Sequence, residues 1–231
     1  LFRTPVYFTN CVLSAFIMPI ILIVAVITSL DGVDLSAFLT PQLISSIPNL
    51  WAYVLIVSFL AGSFMGGINM ISATAISREG NNASFMKYIP LPLATQIAAK
   101  TACGIILSAI GTWMLIIPAH IVIEYPIYLD VIFVIGSFIS IVMINLFSIL
   151  IDMLRPKLVW EQETAAVKQN MNGFISMLMS FMLAAVLFGL LYVGWSHVVW
   201  IAVGILFVQI ILTIFLCQTV KKANTRLLNK I

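Results

Sequence analysis

The sequence predicts an all-α, polytopic membrane protein of six transmembrane helices, with both termini cytoplasmic and short amphipathic helices along its inner surface. Three observations carry this expectation. Of 231 residues, 62% are apolar and only 8% are charged, a balance that no single soluble core of this size can bury. The apolar residues gather in runs of about 20, the length a helix needs to cross a hydrocarbon core of roughly 30 Å. Those runs lack the ~10-residue alternation of a membrane β-barrel, so each span satisfies its own backbone as helix. The third observation is that the cations fall on alternate connections, as the elements show in turn.

The whole chain reads as one transmembrane domain. A first span is expected over about 9–30, with Pro19 inside it and Arg3 before it. The connection 31–48 is long and half apolar, and reads equally as a solvated loop or as a short helix on the outer interface. The second span, about 50–75, carries Ala61, Gly62, Ser63, Gly66 and Gly67. Gly62 and Gly66 make a G-x-x-x-G spacing whose small residues admit another helix at close range, either a neighbour in the same chain or a second copy. The connection 77–100 is polar at its start and punctuated by Pro90 and Pro92. Ser84 is placed to cap a short helix with Phe85, Met86 and Ile89 on one face, an amphipathic element lying on the inner surface.

The third span is expected over about 98–119, with Pro118 kinking or ending it, and the fourth over about 129–151. Arg155-Pro156 then closes the fourth span, and 161–170 reads as a charged surface helix, either a solvated face or a docking surface. The fifth and sixth spans follow over about 173–194 and 198–217, before a basic tail. Trp51, Tyr125, Tyr128, Trp160, Tyr192, Trp195 and Trp200 fall near span ends, where amphipathic rings anchor at the headgroup level.

Arg3, then Arg78, Lys87 and Lys100, then Arg155, Lys157 and Lys168, then Lys221, Lys222, Arg226 and Lys230 are all eleven basic residues of the chain. They share one side. The other side carries Asp31, Asp34, Glu124 and Asp130 and no Lys or Arg. This is the positive-inside asymmetry, and reversing it would lose about 1 kcal/mol for each cation near the anionic leaflet.

The search for chemistry is brief. His120 and His197 stand at outer helix ends, no H-E-x-x-H or G-x-S-x-G occurs, and Cys11, Cys103 and Cys217 have neither metal-like nor redox-like spacing. The reading therefore includes no catalytic residue, no metal, no cofactor and no nucleic-acid partner; the lipid bilayer is the partner that composition requires. Nothing matches a P-loop, so the chain is not expected to bind nucleotide. Asn69, Asn145 and Gln209 are neutral amides inside spans, read as interhelical hydrogen bonds before substrate contacts. No acid or base is expected at mid-span, which argues against ion-coupled transport.

Ser77-Arg78-Glu79-Gly80, then Met86-Lys87, Ile89-Pro90 and the basic Lys100 entering the third span, resemble the coupling segment of ABC-2-type exporter permeases. Together with Asp152-Met153-Leu154-Arg155-Pro156-Lys157-Leu158 and Ala166-Val167-Lys168-Gln169-Asn170, they resemble a Gram-positive family of large ABC exporter permeases. Members of that family are longer, so the resemblance implies the C-terminal part of a longer permease, in keeping with a first residue that is leucine. It also implies a multi-pass protein of the cell membrane, a separate cytoplasmic ABC ATPase, and a second transmembrane half supplied upstream or by a homodimer. Arg78, Glu79, Gly80, Phe85, Met86, Lys87, Ile89 and Pro90 would then form the ATPase-coupling site, Arg78 and Glu79 making its electrostatic contacts. Arg155, Pro156, Lys157 and Lys168 would make a second inner contact. The alternative is an ATP-independent carrier or channel, or a membrane scaffold whose inner loops recruit a partner.

Overall fold

Long apolar runs that cannot hydrogen-bond to lipid must close their own ladders, and the structure, a computed structural model describing residues 4–30, 44, 46–122 and 125–228, is accordingly helical. Among the described residues there is no strand, and six helices are long and apolar enough to cross a membrane. We label them α1 (Leu13–Leu30), α2 (Leu50–Ile68), α3 (Leu93–Trp113), α4 (Tyr128–Leu154), α5 (Met171–Val193) and α6 (Val198–Leu228). A short helix Pro5–Tyr7 and one π turn Phe8–Val12 lead into α1. The connection 31–48, apart from its end at Ile44 and 46–48, lies outside the described residues, and so does the choice between loop and interfacial helix made for it.

Boundaries differ from expectation where side chains compete with the helix. α2 ends at Ile68 instead of 75 because Asn69 turns the chain: its Oδ1 accepts from Ile71 N at 2.9 Å, and Met70 takes φ 54°. Nineteen residues already cover about 28 Å at 1.5 Å each. α3 starts at Leu93 and breaks at Met114 and Leu115 before a short helix Ile116–Val122. Pro118 causes the break, since its ring excludes the carbonyl four residues earlier, at Met114. Pro19, by contrast, sits inside an unbroken α1. α4 runs on to Leu154, and α6 to Leu228, about ten residues beyond the 30 Å that a span needs.

α2 and α4 form the central pair, with α3, α5 and α6 packed around them and α1 resting mainly on α3. The small-residue face of α2 is used within the chain. A Cβ on Gly62 would strike the carbonyl oxygen of Ser137, one on Gly66 the side chain of Ile144, and one on Gly67 the hydroxyl of Ser180. Short polar contacts join the helices as well: Ser63 of α2 and Ser140 of α4 meet at 2.6 Å, Ser148 of α4 and Ser176 of α5 at 2.6 Å, and Ser72, just beyond α2, donates to Asn145 Oδ1 of α4 at 2.6 Å. Where lipid removes the hydrophobic drive between helices, close backbones and short polar contacts provide the association. The windows of α2 and α4 are 56% buried, whereas those of α5 and α6 are 17% and 22% buried, which leaves the latter two facing outward.

Candidate functional site

The end of the bundle that carries the basic connections is built around a buried carboxylate. After α2 turns at Asn69, residues 71–77 are buried without being α-helical, so the N–H groups of Ile76 and Ser77, which meet no helical carbonyl, need acceptors from outside the segment. Asp152, fully buried near the end of α4, supplies them. Its Oδ2 accepts from Ile76 N at 2.6 Å and Ser77 N at 3.1 Å, and its Oδ1 accepts from the Ser77 hydroxyl and from Asn172 Nδ2 at 2.9 Å. Four donors and no cation compensate this charge, which is the arrangement of an N-cap, here at the start of the 3-10 helix Ser77–Lys87.

Ser77 is the junction between the two basic connections. Its Oγ accepts from Lys157 N at 2.9 Å and its carbonyl from Trp160 Nε1 at 2.9 Å. Trp160 is therefore a bolt between connections and not the headgroup anchor expected of it. Its ring lies where a side chain on Gly80 would project, with a Cβ–ring approach of 2.8 Å, and Gly80 has φ 54°. Both facts require glycine there. Lys157 Nζ donates to the carbonyls of Ala165 and Gln169 at 3.2 and 3.1 Å, closing a short helix Glu163–Val167. The surface helix expected over 161–170 is shortened to these five residues, and its Ala166 and Val167 are buried against Tyr7, Cys11 and Ile71.

The structure places the coupling residues in two groups. Arg78 and Glu79 are internal braces: Arg78 Nη1 donates to Thr74 Oγ1 at 2.8 Å and its guanidinium lies 5.9 Å from the Tyr7 ring, while Glu79 pairs with Lys100 of α3. Phe85, Met86 and Ile89 do not share a face, because Met86 is buried while Phe85 and Ile89 are exposed. The reason is the tighter winding of a 3-10 helix, three residues per turn in place of 3.6, together with the end of that helix at Lys87. Ser84 is not its cap: it lies inside the second of two helical pieces that meet at a kink at Gly80, where φ is 54°. Phe85, Tyr88, Ile89 and Leu91 form an exposed apolar ridge, with Lys87 and Pro90 exposed beside them.

Met86 in turn packs with Ile97 of α3, Met153 of α4 and Val220, Ala223 and Leu227 of the α6 extension. In the other connection Arg155 and Lys168 are exposed, and Pro156 is half-buried. Asn172 Nδ2 donates to the Arg155 carbonyl at 2.8 Å. Sequence reasoning quoted Asp152 only within a motif and missed its capping role, Asn172 and the α6 extension. The available signal was a lone carboxylate at the end of an apolar run with no cation three or four residues before it.

At the opposite end, His120 Nε2 meets Asp130 Oδ2 at 2.5 Å, Tyr125 donates to Asp130 Oδ1 at 2.8 Å, and the His120 and Tyr125 rings stack at 4.3 Å. Burial, then the hydrogen bond to and charge of Asp130, push the Tyr125 phenol above its ordinary range. Glu124 lies outside the described residues. Of the span amides, Asn69 donates to Ser108 of α3 and Asn145 accepts from Ser72, whereas the buried Oε1 of Gln209 has no partner among the described residues. Among those residues no group of three His, Cys, Asp or Glu side chains is placed to hold a metal. Comparison with protein-family models, with curated proteins and with solved structures gave no match.

Proposed function

We propose that this chain is the membrane-spanning permease subunit of an ATP-driven, ABC-2-type exporter, lying in the cell membrane with both termini cytoplasmic and driven by a separate ATPase. One observation supports it above the others. The ridge of Phe85, Tyr88, Ile89 and Leu91 is exposed at the basic end, on a segment braced to α3 through Lys100, to α4 through Asp152 and to α6 through Met86. Large apolar side chains exposed together mark an interaction surface, and a load applied here reaches three spanning helices through hydrogen-bonded and packed contacts. The positive-inside distribution supports the cytoplasmic position of that end. In this reading the ridge and Lys87 meet the ATPase, while Arg78 and Glu79 hold the ridge in place. A second transmembrane half, upstream in the chain or in a second copy, completes the pathway.

The test is affinity purification of the tagged protein from its host in mild detergent, with mass spectrometry and an ATPase assay of the eluate. We expect a P-loop ATPase to co-purify and to be lost by about tenfold or more in the F85A/Y88A double variant, a change of about 1.4 kcal/mol or more in binding. Recovery without an ATPase, even after crosslinking in the membrane, would favour an ATP-independent carrier or channel or a scaffold instead.

A further inference from the structure

α6 carries two kinds of surface along one face. In its spanning part Phe207, Ile211, Ile214 and Phe215 are each more than half exposed. At 3.6 residues per turn these positions fall within an arc of about 120° that also contains Gln218, Lys222 and Arg226, with Lys221 at its edge; all four are exposed. The opposite face carries Val220, Ala223 and Leu227, which are committed to the Met86 cluster. The outward face is therefore one continuous stripe, apolar along the span and cationic beyond it.

Depth and charge define what fits it. About twenty residues from Val198 onward cross a hydrocarbon core of roughly 30 Å. Lys221 and Lys222 then stand about 6–8 Å further out, in the headgroup layer that brings a bilayer to roughly 40–45 Å. The acids described at this end are engaged elsewhere: Glu79 pairs with Lys100, Asp152 is buried among its four donors, and Glu161 and Glu163 belong to the connection that packs with Tyr7 and Cys11. Neither ion pair among the described residues includes Lys221, Lys222 or Arg226. The complement of a cationic group directly below an exposed apolar stripe is an anionic head on a hydrocarbon chain.

We propose that the outward face of α6 binds an anionic glycerophospholipid, its acyl chain along Phe207, Ile211 and Phe215 and its phosphate at Lys221, Lys222 and Arg226. Charge-assisted bonds from ammonium and guanidinium groups hold the phosphate, and the attraction of a net negative head adds to them. A zwitterionic lipid covers the same stripe with a weaker hold, because its own ammonium opposes the lysines. The inference is independent of the export reading, since neither the ridge nor an ATPase enters it.

The experiment uses the full chain with photoreactive benzoylphenylalanine in place of Phe215, in nanodiscs of equal parts phosphatidylglycerol and phosphatidylcholine with matched chains. After irradiation, mass spectrometry counts the adducts of each lipid. We expect phosphatidylglycerol adducts in about fivefold excess, falling to about twofold or less in K221Q/K222Q/R226Q and staying near fivefold in K221R/K222R. Salt at about 1 M should lower the excess to about twofold. The same label in place of Phe188, exposed on α5 toward the opposite end, should take up the two lipids about equally. Equal adducts from the Phe215 position, an excess that survives neutralisation, or the same excess from the Phe188 position would each overturn the proposal. So would crosslinks to a second copy of the chain in place of lipid, as expected if another transmembrane half covers α6.

Discussion

Asp152 shows how one side chain sets local structure. Its four donors include two backbone N–H groups that the turn after α2 leaves without a helical acceptor. Asp152→Ala strands all four, and hydrogen bonds to a charged group are worth about 1.5–3 kcal/mol each with partial compensation among them. We expect a loss of about 3 kcal/mol or more in thermal or denaturant unfolding in lipid nanodiscs. Asp152→Asn retains one accepting oxygen and should lose about half as much. Equal stability of wild type and D152A would show that water or backbone relaxation replaces the carboxylate. Tyr125 gives a pH prediction of known sign. Its folded phenol holds its proton above the unfolded value of about 10, so above that pH the folded state binds more protons than the unfolded one. Stability from this group is complete below pH ~10 and declines as pH rises beyond it. Tyr125→Phe should remove that part of the alkaline decline, and a 295 nm titration should lose its latest-ionising phenol.

The α6 extension is the element that composition described least well. In the sequence, Lys221, Lys222 and Arg226 mark it only as a basic tail after the sixth span. In the structure Val220, Ala223 and Leu227 recur at helical spacing and face Met86, while the lysines take the other side, the division of an amphipathic surface helix. Leu227 is fully buried, so Leu227→Asp places an unpaired carboxylate in that cluster and should cost about 4 kcal/mol locally. The expected signature is faster trypsin cleavage after Lys87, by about tenfold or more, since release of Met86 frees the ridge segment. Leu227→Met keeps the volume and should cleave as wild type does. An unchanged rate in L227D would show that α6 does not restrain the ridge. The short helix Glu163–Val167 follows the same rule: its sequence reads as a charged surface helix, yet Ala166 and Val167 seat it on the lead-in to α1.

Across the whole molecule, burial is concentrated on α2 and α4 while α5 and α6 present large apolar side chains outward, Phe188, Phe207 and Phe215 among them. Such a surface suits lipid or a second transmembrane half and no aqueous environment. Orientation is checkable by cysteine labelling on a cysteine-free background, using Ile127→Cys and Lys87→Cys, both exposed at opposite ends. An impermeant maleimide should modify I127C in intact cells and K87C only after permeabilisation; the reverse pattern would overturn the cytoplasmic assignment of the basic end.

The sequence by itself determined the number and class of the spans, because run length against bilayer thickness and the need to satisfy backbone groups in lipid are decided locally, residue by residue. It also marked Gly62, Gly66 and Gly67 as a close-approach face and Pro118 as a helix breaker, both steric properties of single residues. Only the tertiary structure decided which polar groups were spoken for. Glu79 and Arg78 look like free surface charges in a string of letters, yet Lys100 and Thr74 meet them from 21 residues and 4 residues away. Asp152 looks like part of a loop motif until Ile76 and Ser77, some 75 residues earlier, converge on it. Phe85 and Met86 are adjacent apolar residues that only the packing of α6 separates into an exposed side chain and a buried one. Helix formation depends on near neighbours, whereas the partner of a buried charge and the side of a helix that faces inward depend on segments far away in the chain.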